Sequence, residues 1–231
     1  MARTFCVKSR LSGPICPTVL ALGEAVVSTG PVKFTLPNIL TISRVPMMFI
    51  VVALMYTDWQ WAATWAFWLF IASALTDWLD GLLARRANQV SSFGRFMDAT
   101  LDKVMVVGLM IALVNGGYFE KFRITAMMLL LLIIAREFAI SGLRMAAATR
   151  GLVVEADTSG KVKTFVQLNA IGWLLGARMF ERDFADLFGG DGSDIVRVVH
   201  WGGLVLYMLA AVLTVTSGIA YFRKHGHAVR D

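Results

Sequence analysis

Thiol and soft-metal chemistry has little raw material in this chain, which holds two cysteines and three histidines among 231 residues. Cys6 and Cys16 match no metal-binding spacing, and a first segment expected to face the reducing cytoplasm argues against a disulfide between them. His200, His225 and His227 stand at no ligand spacing with the acidic residues. Charge is scarce too: 16% of residues are charged and 57% are hydrophobic, with a mean hydropathy of +0.66. A soluble domain of this length is not normally so apolar.

Long apolar runs take the place of charge. Residues 36–56, 61–75, 104–114, 124–135, 162–175 and 198–221 are candidate membrane helices. Several fall short of the roughly 20 residues that a bilayer needs. Each short run abuts a polar, helix-compatible motif, so the helix is expected to continue out of the lipid. The fold class expected is an all-α integral membrane protein, with six transmembrane helices in one domain around a polar metal site facing the cytoplasm. Residues 1–33 form an extension, either a tail or an amphipathic helix on the membrane surface. Residues 34–222 form the six-helix domain, and 223–231 a basic tail.

Basic residues set the expected orientation. Lys33, Arg85, Arg86, Arg95, Arg144, Arg150, Lys161, Lys163, Arg223, Lys224 and Arg230 fall on one side of the alternating spans. The opposite connections are short or acidic, with Asp183, Asp186, Asp191 and Asp194 in the last of them. Both termini and the polar site are therefore expected in the cytoplasm. The formal net charge of +6 then lies against anionic lipid head groups, which accounts for it without nucleic acid.

Inside this apolar chain lies DWLDGLLARRANQVSSFGRFMDATLD, beginning at Asp77 and ending at Asp102. Carboxylates at the edge of a membrane helix are costly and mark ion or substrate handling. Asp77 and Asp80 are three apart, and Asp98 and Asp102 four apart, so each pair shares a helical face. Two helices meeting on those faces aim four carboxylates at one point, an oxygen-ligand site for Mg²⁺ or Mn²⁺. Gly81 and Ala84 continue the acidic face of their helix without bulk. Such a face serves either close helix packing or the approach of a flat base or ribose. Arg85 is placed to meet a phosphate.

Two further polar sets stand near apolar runs. Asn38, Thr41 and Arg44 make a stripe in TLPNILTISRVP. It is either an interfacial anchor with Arg44 snorkelling to head groups, or a surface facing the carboxylates. Arg136 lies deep in the apolar register of AREFAISGLR, where an unpaired charge is expensive. It needs an anion, and Glu137 projects about 100° away on the helix. Arg144 falls two turns after Arg136, and Lys161 and Lys163 open the next helix. A phosphate suits such a set, since Arg offers a bidentate fork and Lys a compact charge.

The spacing Asp77-x2-Asp80-Gly81-x2-Ala84-Arg85-x8-Gly94-x3-Asp98-x3-Asp102 resembles the signature of the CDP-alcohol phosphotransferases at each fixed position. That family comprises membrane-embedded six-helix enzymes, often dimers, that displace CMP from a CDP-alcohol with an acceptor hydroxyl. The resemblance implies Asp77, Asp80 and Asp98 as main ligands of a divalent metal pair. It implies Asp102 as general base and further ligand, and Gly81, Ala84 and Arg85, joined by Asn38 and Thr41, as the CDP-diacylglycerol face.

LPNILTISR, LDK at 101–103, AREFAISGLR and GKVKTFVQ at 160–167 are similar to members that use a phosphorylated acceptor. The implied reaction converts CDP-diacylglycerol and sn-glycerol 3-phosphate to phosphatidylglycerophosphate and CMP at the bacterial cytoplasmic membrane. Arg136, Arg144, Lys161 and Lys163 would then receive the acceptor phosphate. The same chemistry on inositol phosphate or phosphatidylglycerol is the nearest alternative, and a divalent-cation transporter the distant one. A transporter would need a second acidic set near the bilayer midplane, and the sequence has none.

Overall fold

A computed structural model describes residues 36–87, 92–149, 158–185 and 192–225; the extension of residues 1–33 lies outside them. The described residues form six α-helices, one short 3-10 turn at Glu120–Phe122 and no strand. The α-helices are α1 (Leu36–Met55), α2 (Ala62–Ala87), α3 (Ser92–Asn115), α4 (Arg123–Thr149), α5 (Thr158–Arg182) and α6 (Gly192–His225).

Four of these helices outrun their apolar cores in the way the sequence suggests. α2 continues through the aspartate motif to Ala87, α3 begins within that motif at Ser92, α4 runs on to Thr149, and α5 starts ahead of Lys161. Pro37 sits in the first turn of α1, where its missing N–H costs nothing. Pro46 is inside α1, where it removes a donor to the Ile42 carbonyl, and the helix nevertheless continues.

The packing is that of a bundle turned outward to lipid. Leu109, Met110 and Leu113 of α3, Ile133 of α4, Ile171 and Leu174 of α5, and Tyr207 of α6 are buried in one core. Phe49 and Ile50 of α1, Trp68 of α2, Leu131 and Phe138 of α4, Phe165 of α5 and Val205 of α6 are exposed. Large apolar residues on the outside of several helices are what a hydrocarbon solvent selects and water does not. α4 over Arg123–Ala148 and α6 over Asp194–Lys224 are each long and apolar enough to cross a bilayer. Ile42–Met55 and Ala62–Thr76 are shorter apolar stretches.

α5 and α6 pack closely because glycine removes the side chains at their crossing. A Cβ on Gly203 would stand 2.9 Å from Leu174 Cγ and 3.2 Å from its backbone nitrogen. One on Gly202 would enter the Trp173 ring at 2.5 Å.

At one end of the bundle the short connections are tied together. Tyr56 donates to the Ala112 carbonyl at 2.9 Å and accepts from Asn115 at 3.1 Å, joining α1 to α3. The Asp183 carboxylate, just past α5, accepts from both the backbone N–H and the hydroxyl of Thr64 at 2.7 Å. It thereby caps α2, satisfying a first-turn donor that has no partner within its own helix. Arg182 bonds the Thr57 carbonyl and the Asp58 carboxylate.

Gly117 adopts φ +81° in the turn after α3, and the Tyr118 ring that follows is buried under Arg178. Burial pushes the Tyr118 phenol up to about 12. A ring nitrogen of His200 meets the Tyr118 carbonyl at 2.7 Å, so His200 has a structural role at this end, away from the aspartate motif. Trp59, Trp61, Trp65 and Trp201 are exposed, with Trp61 stacked edge-on to Phe184 and Trp201 to Phe122. Such a collar is the mark of a membrane–water boundary.

Candidate active site

The predicted site residues occupy α1, α2, α3, α4 and α5. Asn38 and Thr41 lie in the first turns of α1; Asp77, Asp80, Gly81, Ala84 and Arg85 in the second half of α2; and Asp98 in the first half of α3. Lys161 is in the first turn of α5. The side chains of these nine residues lie outside the described residues, and with them most of the expected metal site and the CDP face. Among the described residues, no three His, Cys, Asp or Glu side chains converge as a metal-binding group. Of the four aspartates, Asp102 alone has a described side chain, and it pairs with Arg44 of α1.

Arg44 is 2% exposed. An arginine snorkelling to head groups would have its guanidinium in water, so the anchor reading fails for this residue. Arg44 faces the carboxylate of Asp102 instead. The ion pair fixes the Asp102 carboxylate across the α1–α3 contact.

The other described candidates come together. Asp102 and Lys103 of α3, Arg136, Glu137 and Arg144 of α4, and Lys163 of α5 line one cavity of about 1140 Å³. Four cationic and two anionic side chains leave this described lining with two net positive charges, matching a phosphate dianion. The cavity continues between α2 and α5 along Phe67, Phe70, Leu75, Gly172, Gly176 and Phe180. One wall is therefore ionic and most of the remainder apolar, the two demands made by a phosphorylated head group and a lipid tail.

Within the ionic wall, the cations have protein partners. Arg136 donates through Nη1 to Glu137 Oε1 at 3.1 Å and through Nη2 to Ser217 Oγ at 3.0 Å. Its Nε is buried against Gly218 of α6 with no hydrogen-bond partner among the described residues. Lys163 pairs with the same Glu137 oxygen. Arg144 Nε bonds the Tyr221 hydroxyl at 3.1 Å, and its guanidinium carbon stands 5.6 Å from the centre of that ring.

One sequence expectation is thereby revised. Glu137 does meet Arg136, because the 100° between neighbouring helical positions separates Cβ atoms, while the long side chains bend back to one another. Lys103 and Tyr221 line the cavity without having been singled out as site residues. The signal available for Lys103 was a lone cation directly after Asp102 at the mouth of an apolar run.

Residues 34–218 match the family model described as CDP-alcohol phosphatidyltransferase. The chain belongs to that family. Among similar CDP-alcohol phosphatidyltransferases is the CDP-diacylglycerol–glycerol-3-phosphate 3-phosphatidyltransferase of Bacillus subtilis (strain 168). It is 33% identical over 213 residues, covering 85% of this chain and 98% of that relative. Proteins of the same name from Rickettsia bellii (33% identical, 81% of this chain, 93% of the relative) and Salmonella typhimurium (34%, 82% and 93%) are also similar. The match spans all six helices up to the last turns of α6, so the cavity described above is wholly composed of family residues apart from Tyr221.

Proposed function

We propose that this chain transfers the phosphatidyl group of CDP-diacylglycerol to sn-glycerol 3-phosphate, forming phosphatidylglycerophosphate and CMP. The observation that carries the acceptor assignment is the cavity in which Asp102 of the family motif shares a wall with Lys103, Arg136, Arg144 and Lys163. A neutral alcohol has no use for the net positive charge of that wall. The relatives' shared name points to the same acceptor.

In the proposed reaction, the primary hydroxyl of glycerol phosphate attacks the β-phosphorus, bearing the diacylglycerol. A new P–O bond forms, the phosphoanhydride P–O bond to CMP breaks, and the hydroxyl proton passes to a carboxylate. Asp102 is the base we assign, with Arg44 holding its carboxylate in place. Arg136, Arg144, Lys161 and Lys163 receive the acceptor phosphate. Asn38, Thr41, Gly81, Ala84 and Arg85 form the CDP-diacylglycerol face, and the apolar stretch between α2 and α5 leads the acyl chains towards lipid.

Asp77, Asp80, Asp98 and Asp102 would hold the divalent cations, Mg²⁺ or Mn²⁺ and two in number. Their oxygen-only donor set suits hard cations. When bound, such ions neutralise charge on the diphosphate as CMP departs. We further propose a homodimer in the bacterial cytoplasmic membrane, with termini and site on the cytoplasmic side and the tryptophan collar on the other. CMP release by the purified protein, with CDP-diacylglycerol and each candidate alcohol, tests the reading.

A further inference from the structure

A carboxylate is out of place in the wall of an anion-receiving cavity. Glu137 repels the phosphate that the surrounding cations attract, and it is only 9% exposed, so its desolvation is costly unless its partners offset it. Its partners are the two cations of the wall that most need a fixed position. Arg136 and Lys163, from α4 and α5, meet at a single oxygen of Glu137.

The sixth helix completes the seat. Ser217 accepts from the other Nη of Arg136. Gly218 gives passage to its stem, since a Cβ there would stand 2.8 Å from Arg136 Cγ. Two helices thus constrain one guanidinium, whose buried Nε has no hydrogen-bond partner among the described residues.

We propose that Glu137 is a positioning residue for the acceptor. It holds Arg136 and Lys163 side by side against their mutual repulsion, so that their remaining donors face the phosphate of glycerol phosphate before it arrives. Binding that anion then requires no reorganisation of the cations, the general advantage of a prearranged site. This rests on the acceptor assignment made above.

The test is steady-state kinetics of CMP release by the full chain, varying glycerol phosphate and CDP-diacylglycerol separately. Glu137→Gln should raise KM for glycerol phosphate about tenfold, while KM for CDP-diacylglycerol stays within about twofold. Glu137→Asp should recover part of the loss. In a Lys163→Gln background, Glu137→Gln should cost less than it does alone, because one of the two pairs it breaks is already lost.

Gly218→Ala displaces Arg136 from α6 without altering a charge. It should also raise KM for glycerol phosphate selectively, and it decides the matter if Glu137→Gln does not fold. An unchanged KM for glycerol phosphate in Glu137→Gln, or independent multiplication of the two single effects, overturns the positioning role alone. So does an unchanged KM for glycerol phosphate in Gly218→Ala. A wild-type protein inactive with glycerol phosphate but active with another alcohol overturns the acceptor assignment itself.

Discussion

Arg44 of α1 is buried against Asp102 of α3, and the ion pair between them joins the middle of the first helix to the last aspartate of the motif. The relationship gives Asp102 a fixed orientation in a wall that also carries Lys103 and Arg136. An aspartate meant to take a proton from a bound hydroxyl needs that orientation more than it needs exposure.

Arg44→Gln should therefore lower kcat by roughly 10²-fold, the scale of misaligning a general base. KM for glycerol phosphate should change far less. Arg44→Lys, keeping a charge, should recover part of the rate. A kcat near wild type in Arg44→Gln would separate this ion pair from catalysis.

Arg144→Ala removes the guanidinium that Tyr221 orients. Its expected effect is an increase of about tenfold in KM for glycerol phosphate, the value of one charge-assisted contact. Tyr221→Phe, which takes away only the hydroxyl, should give a smaller shift in the same direction. Equal effects on both substrates would argue against an acceptor-side position for Arg144.

The opposite end of the bundle should behave differently. Asp183→Ala leaves the first turn of α2 without its cap from α5, at a cost of about 1 kcal/mol. Thermal unfolding of the solubilised protein should shift down, while KM for both substrates at low temperature is unchanged. A selective change in either KM would show that this end communicates with the site.

Chelation tests the cation assignment. EDTA should abolish CMP release, and Mg²⁺ or Mn²⁺ should restore it, since four aspartates without a cation would repel a diphosphate. Turnover that survives exhaustive chelation would remove the metal from the reaction.

Much of this was legible in the amino-acid sequence, for identifiable reasons. Apolar runs located all six helices, and polar motifs beside the short runs located their extensions, because helical propensity does not stop where lipid does. The spacing from Asp77 to Asp102 pointed to the family, whose model matches residues 34–218. The charge on Arg136 demanded an anion, and the one it meets is Glu137, which helical face-counting had turned away. What periodicity could not supply was the partner, since face-counting on one helix ignores both side-chain length and the neighbour's approach. Lys163 and Arg136 sit 27 residues apart in the chain and share Glu137 because α4 and α5 both pack against α3 and α6, which brings these long side chains within reach of one another. The choice between Arg44 as lipid anchor and as carboxylate partner likewise depended on the α1–α3 contact, which no local pattern encodes.

The most direct test of the central claim is CMP release by the purified protein with CDP-diacylglycerol and either Mg²⁺ or Mn²⁺, offering glycerol 3-phosphate, inositol phosphate and phosphatidylglycerol in turn. The account predicts turnover with glycerol 3-phosphate and formation of phosphatidylglycerophosphate, with little or none from the other two. Turnover with inositol phosphate or phosphatidylglycerol and none with glycerol 3-phosphate would contradict it.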